Sequence, residues 1–232
     1  RGVSAKHLVG NIVADISSPT WDDFVATLSR NRRRLTRKKM RTLESNHKVE
    51  IERITDEAGY AKHFDRIREI QKVRATKDRV DRSNSYMECI RETNARMFNK
   101  GRMVLYLVKA DGTVISYRLA IISGKTYYDW NTNYDISWSE YSPGLIGIAY
   151  VIRDLISRGY TAVNFMAGVY NYKLSYSPNH EMRNNYLFVM GNRSLRAILF
   201  RKYQLEWRDR IRPFYQKVTS AIRRINNDRL EP

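Results

Sequence analysis

The chain reads as an α/β (α+β) protein, a mixed central sheet flanked by helices, in which an antiparallel meander runs into a β-α-β unit. Three observations lead there. Apolar residues recur at helical spacing through the first part of the chain, and after Gly101 the pattern changes to short apolar runs. Two tight turns, Asp111-Gly112 and Ser123-Gly124-Lys125, divide those runs into strands over 103–109, 114–122 and 126–133. The third strand is followed by Ser142-Pro143-Gly144, an apolar helix over 143–158, Gly159, and another strand over 161–167. A helical crossover of this kind makes the two flanking strands parallel.

The remaining elements follow in order. Residues 7–16 alternate loosely enough for a strand, and Ser17-Ser18-Pro19-Thr20 break it. Residues 21–44 read as one helix, with Trp21, Phe24, Val25, Leu28 and Leu35 near helical spacing. A short strand over 49–54 precedes a second amphipathic helix over 57–72, built on Tyr60, Phe64, Ile67 and Ile70. Residues 74–85 are polar and charged and read as a loop; 86–99 form a third helix with Met87, Ile90 and Met97 inward. The 143–158 helix buries Leu145, Ile148, Ala149, Ile152, Leu155 and Ile156. A last strand is expected over 185–190, and 194–226 read as basic helix interrupted at Pro213. Phe214, Val218, Ala221, Ile222 and Ile225 make one apolar face there, which lies on a membrane surface or packs on its own domain.

Composition narrows the class. With 232 residues, 42% hydrophobic and 12% aromatic, the chain is globular and long enough for a substantial core. No apolar run reaches the roughly 18 residues of a membrane span. The opening Arg-Gly-Val carries no signal-peptide pattern and reads as a fragment or processed form. The single Cys89 excludes an internal disulfide framework and fits a reducing, cytoplasmic compartment. The net charge of +18 attracts polyanions: nucleic acid, anionic membrane, an acidic carrier protein or a phosphate-rich cofactor. Residues 30–41 concentrate it, with eight Lys/Arg among twelve residues and no acid; they form either a solvated helix face or a phosphate-facing surface. His7, His47, His63 and His180 are scattered without metal-ligand spacing, so no metal site is expected. No Gly-x-Ser-x-Gly elbow, Walker-type loop or RNP-like pattern occurs, against a serine hydrolase, a P-loop NTPase or an RNA-recognition sheet.

The stretch from Tyr141 to Ala149 carries the clearest chemical signal. Ser142 is a good N-cap and Pro143 suits the first helical position. Gly144 and Gly147 open the first turn, so the free N–H groups and the positive end of the helix dipole can meet an anion. The same residues equally suit a helix that simply starts there.

The order of helices, meander, glycine-opened helix and parallel strand resembles the GNAT acyltransferase fold. Trp21-Asp22-Asp23-Phe24-Val25-Ala26-Thr27-Leu28-Ser29, the Arg run and Leu43-Glu44 resemble the segment leading into the acetyltransferase domain of the BioF2-like/CelD family. Ser142-Pro143-Gly144, Arg158-Gly159-Tyr160, Asn164-Phe165 and Gly168 with Tyr172-Lys173 resemble that family's later signature. The FemAB-type aminoacyl-tRNA-dependent transferases share the fold and the Tyr-Lys element. The chain departs from the family at Asn164, where an acid is common, and offers only Gly144-x-x-Gly147-x-Ala149 as a pyrophosphate loop.

The resemblance implies an opening strand and linker over 1–20 belonging to an upstream lobe and a GNAT-like acyltransferase domain over 21–192; the basic helices over 193–232 are expected to pack on that domain. It implies an acyl donor lying between splayed strands, its phosphates at the helix that starts with Pro143. Ser142, Gly144, Leu145, Gly147, Gly168, Tyr170 and the backbone of Trp130 and Asn131 are the donor-binding candidates. Asp135 or Asp129 would accept the amine proton, Lys173 would hold a phosphate or oxyanion, and Tyr172 would donate a proton. The expected activity is N-acyl transfer from acyl-CoA or an acyl carrier protein to an amine of a sugar, amino acid or cell-envelope precursor. No cofactor is permanently bound. The alternatives are aminoacyl-tRNA as donor, or a non-enzymatic domain binding polyanions or the inner membrane face.

Overall fold

A computed structural model describes residues 2–7, 10–78, 84–168, 170–183 and 186–191; the expected basic helices over 193–232 lie outside the described residues. The chain divides into two compact units, 1–8 with 185–232, and 9–184. In the first, strands β1 (Gly2–His7) and β9 (Tyr186–Gly191) pair antiparallel.

The second unit holds the elements that matter for function. In chain order they are β2 (Asn11–Asp15), α1 (Trp21–Thr27), α2 (Arg30–Asn46), β3 (Val49–Ile54), α3 (Glu57–Asp78) and α4 (Asn84–Asn99). Then come β4 (Met103–Ala110), β5 (Thr113–Ser123), β6 (Thr126–Tyr134), a 3-10 turn (Ile136–Tyr141) and α5 (Pro143–Ser157). Strand β7 (Ala162–Ala167), α6 (Asn171–Ser175) and β8 (His180–Arg183) complete it. Seven strands form one sheet in the order β3-β4-β5-β6-β7-β2-β8. Only β6 and β7 are parallel, across the α5 crossover; every other neighbour is antiparallel. The fold class and the meander feeding a β-α-β unit are as the sequence reads. Strand β2, from the opening segment, is an inner strand between β7 and β8.

Strand alternation makes two cores, one on each face of the sheet. Val104, Tyr106 and Val108 of β4 face α1, α2 and α5. Met103, Leu105 and Leu107 face Tyr60, Phe64, Ile67 and Ile70 of α3, with Phe98 of α4. Ten of the fifteen residues of α5 are buried, because apolar residues almost surround it. Gly147 lets it lie close: a Cβ there would stand 3.1 Å from Ser116 Oγ on β5. A Cβ at Gly144 would stand 3.1 Å from the Tyr134 ring. Both glycines therefore serve close helix–sheet contact.

Other local readings also change. The helix expected over 21–44 breaks at Leu28, whose ψ is 152°, and restarts where Ser29 caps the Arg32 N–H at 3.3 Å. Leu35 is 39% exposed, and Thr36, Met40 and Leu43 face the core instead. Helix α3 runs on to Asp78, into the stretch expected as loop, and α6 and β8 have no sequence forecast. The strand expected over 7–16 is β2, Asn11–Asp15, while His7 ends β1 in another sheet. Among the described residues no helix is long and apolar enough to cross a membrane, and no His, Cys, Asp or Glu cluster could hold a metal ion.

Two outcomes follow from this packing. Gly147→Val forces bulk against Ser116 Oγ and is expected to destabilise the protein by about 1–3 kcal/mol, read from urea unfolding. Burial raises the Tyr106, Tyr127, Tyr150 and Tyr176 hydroxyls above their ordinary value of 10.0. Each phenol then ionises first in the unfolded chain, so its stability contribution is complete below the unfolded value and is lost as pH rises. Unfolding free energy is expected to fall with rising pH above about 10, less steeply in Tyr106→Phe.

Candidate active site

Strands β6 and β7 stay together for only three residue pairs, Thr126↔Ala162, Tyr127↔Val163 and Tyr128↔Asn164. Beyond them β6 follows β5 and β7 follows β2, so a wedge opens between their C-terminal ends. At its mouth β6 carries a bulge. Ala120 pairs with Asp129 and Leu119 with Asn131, leaving Trp130 as the extra residue. The bulge sends neighbouring side chains to opposite faces. Asp129 turns beneath α5, while Asn131 Oδ1 accepts from Tyr117 Oη at 2.9 Å on the α3 side. Trp130 itself is 39% exposed.

The polar centre of the wedge is Arg118 of β5, 3% exposed. Its Nη1 donates to Asp129 Oδ2 at 2.6 Å and its Nη2 to the Gly144 carbonyl at 2.8 Å. One guanidinium thus ties β5 and the bulged strand to the first turn of α5. Among the described residues Asp129 Oδ1, also buried, has no hydrogen-bond partner. Burial pushes the neighbouring Tyr127 hydroxyl well up, and the Asp129 charge adds to it. Arg118 was not among the sequence candidates, although a lone charge inside the apolar run 114–122 signals a buried partner.

Across the wedge, β7 ends in unusual backbone. Met166 has φ 55° and Gly168 φ 99°, and a Cβ at Gly168 would stand 2.6 Å from the Tyr170 ring. Such conformations persist only when their surroundings enforce them, and they gather at functional sites. Here Lys173 enforces them: it is buried, and its ammonium donates to the Phe165 carbonyl at 2.6 Å and the Ala167 carbonyl at 3.0 Å. Asn164 Oδ1 adds a bond from the Met166 N–H at 2.8 Å. Burial lowers the Lys173 pKa, and the negative charge of Asp129 partly restores it. Tyr170 stacks on Tyr172 at 6.3 Å between centroids, and Tyr172 meets Phe165 edge-on. Burial raises the Tyr172 hydroxyl.

The remaining candidates fall as follows. Ser142 occupies the N-cap position of α5 with φ 57°, and its side chain makes no cap bond; its carbonyl accepts from Leu145 and Ile146 instead. Leu145 sits half-buried in that first turn, and its carbonyl accepts from Tyr176 Oη at 3.3 Å. Asp135 lies beyond β6 as the cap of the 3-10 turn, held by Ser137 and by the Arg66 guanidinium. Burial works against its ionisation, but the Ser137 and Arg66 bonds outweigh it and keep the carboxyl below its usual value. Asp135 is thus a turn cap, and of the two acids the geometry leaves Asp129 in the wedge.

The acetyltransferase (GNAT) domain profile matches residues 30–174, more than half of the chain and the whole of this wedge. The chain belongs to the GNAT acetyltransferase family. No curated relative matches. Solved structures share the GNAT fold at low identity. FemX superposes with a TM-score of 0.59 at 11% identity, over 79% of this chain and 62% of its own. A conserved protein of unknown function from Bacteroides thetaiotaomicron gives 0.57 at 12%, over 82% and 62%. The C-terminal domain of a putative lysylphosphatidylglycerol synthetase from Agrobacterium fabrum gives 0.55 at 9%, over 82% and 62%. The GNAT chain described here therefore spans less than two thirds of each of these structures.

Removing one member of a buried ion pair strands the other. Arg118→Met is expected to cost about 3–5 kcal/mol in urea unfolding, and the double change Arg118→Met/Asp129→Leu to recover much of it.

Proposed function

We propose that this GNAT domain is an N-acyltransferase that moves an acyl group from acyl-CoA to an amine, with the β6–β7 wedge as donor site. The observation that carries the reading is the coincidence of strand splay, bulge and α5 first turn around Arg118. The donor thioester lies along the wedge with its carbonyl oxygen at the backbone of Trp130 and Asn131. Its pyrophosphate sits at the first turn of α5, by Ser142, Gly144 and Leu145, where the helix dipole favours an anion.

The acceptor amine attacks the thioester carbon, forming the C–N bond and a tetrahedral oxyanion stabilised by backbone N–H groups. The ammonium proton passes to Asp129 Oδ1, directly or through water. Collapse of the intermediate breaks the C–S bond, and the thiolate leaves with a proton from Tyr172 or solvent. Lys173 acts from behind by fixing the carbonyls of β7. An acyl carrier protein or aminoacyl-tRNA as donor would use the same wedge. Sugars, amino acids and cell-envelope precursors are the acceptor classes that such a transferase serves, at a cytoplasmic site or the inner membrane face.

Thermal denaturation with CoA, acetyl-CoA, a long-chain acyl-CoA and bulk tRNA, each at two salt concentrations, tests the donor. A donor at about a hundred times its Kd is expected to raise Tm by about 5–10 °C. The shift should resist salt and vanish in Leu145→Glu, which places a carboxylate beside the pyrophosphate. A shift with tRNA alone would transfer the reading to a tRNA-borne donor.

A further inference from the structure

The exposed face of α2 has no place in the transfer chemistry. Arg30, Arg33, Arg34, Arg37, Lys38 and Arg41 lie along one side of this helix and line a shallow open groove. Their spacing of three, four, seven, eight and eleven residues from Arg30 makes a continuous stripe about 16 Å long. Arg37 pairs with the exposed Asp22 at 2.9 Å. Among the described residues the other five have no carboxylate partner.

Three features argue that this stripe is built for a ligand. The charges repel one another across each turn, which destabilises an isolated helix. The first turn of α2 contains no acid, so its arginines also oppose the positive end of the helix dipole. A surface that works against its own helix in two ways fits an external counter-charge. The composition then selects the counter-charge. Five of the six cations are arginine, whose planar fork matches phosphate oxygens bidentately. Leu35, 39% exposed, is the large apolar side chain that α2 presents to solvent. Insertion into a membrane would need an apolar face, and an acidic protein would need an apolar centre to its interface.

We infer that the α2 stripe binds the sugar-phosphate backbone of a nucleic acid. Contact is through phosphates, and with no exposed ring in the stripe it carries no base stacking. The opposite side of α2 fixes the stripe to the domain: Thr36 Oγ1 shares a hydrogen bond with Tyr176 Oη at 2.8 Å, and Met40 and Leu43 enter the core. Through Tyr176 the same contact reaches the Leu145 carbonyl, so the buried side of α2 is joined to the first turn of α5. This inference does not depend on which donor the wedge takes.

The test is binding of the full chain to an RNA duplex and to a DNA duplex of the same sequence, over a range of salt. Phosphatidylglycerol vesicles and a glutamate-rich helical peptide serve as competitors. Five to six phosphate contacts are expected to give a slope of log K against log salt of about −4.5 to −5.5 for DNA. Arg30→Gln/Arg33→Gln/Arg34→Gln/Lys38→Gln should weaken binding at least about tenfold and reduce that slope by about 3. A control with the same charge change, Lys62→Gln/Arg96→Gln/Lys100→Gln/Lys125→Gln, should leave most of the slope in place. Both variants alter exposed side chains apart from the half-buried Arg33, and circular dichroism checks that each is folded. Comparison of the two duplexes separates RNA from DNA as the source of the phosphates. Equal loss in the two variants would reduce the effect to net charge and overturn the inference. So would displacement of the duplex by vesicles or by the acidic peptide, through a different class of partner.

Discussion

The buried guanidinium of Arg118 is the interaction on which the rest of the wedge depends. It joins the Asp129 carboxylate on the bulged strand to the Gly144 carbonyl in the first turn of α5. Desolvating two ions costs several kcal/mol, and their attraction together with good hydrogen bonds roughly offsets it. Such a pair adds little stability over an apolar core. What it adds is geometry: the helix N-terminus and the bulge cannot move independently while the guanidinium spans both. Gly147 makes the arrangement possible, because a larger residue there would lift α5 off Ser116 and stretch the bond to Gly144.

Lys173 does the same work on the opposite wall. Its ammonium holds carbonyls at the end of β7 in a conformation that Met166 and Gly168 would not otherwise keep. Two buried cations therefore frame one wedge, each tied to backbone, with Asp129 near both. Inside, Arg118 is paired with Asp129 and Lys173 is held by carbonyls, while the outer face of α2 concentrates positive charge of which, among the described residues, only Arg37 has a carboxylate partner. In the proposed reading that division separates the site of transfer from an ionic surface whose strength depends on salt.

The order of elements was legible because it rests on local periodicity and turn chemistry. Asp111-Gly112 closes the β4–β5 hairpin, and Pro143 begins α5. The break at Leu28–Ser29 was hidden because the apolar spacing continues across it, although Ser29 is itself a cap residue. Strand β8 left no pattern, since all four of its residues are exposed. The candidate site was legible in outline only. Trp130 and Asn131 lie on β6, Gly168 follows β7, and Tyr172 and Lys173 lie on α6. The bulge at Trp130 has no sequence mark, yet it decides that Asp129 and Asn131 face opposite ways. The partner of Arg118 depends on strand register, and the direction of Lys173 on the path of β7, neither of which is a local property.

The most direct measurement of the central claim is amide hydrogen exchange with and without a saturating acyl-CoA. Occupancy of the wedge should slow exchange in three places together: 129–134 on the bulged strand, 142–147 at the start of α5, and 165–168 at the end of β7. Slowing confined to α2, or to segments away from these three, would contradict the assignment of the wedge as the donor site.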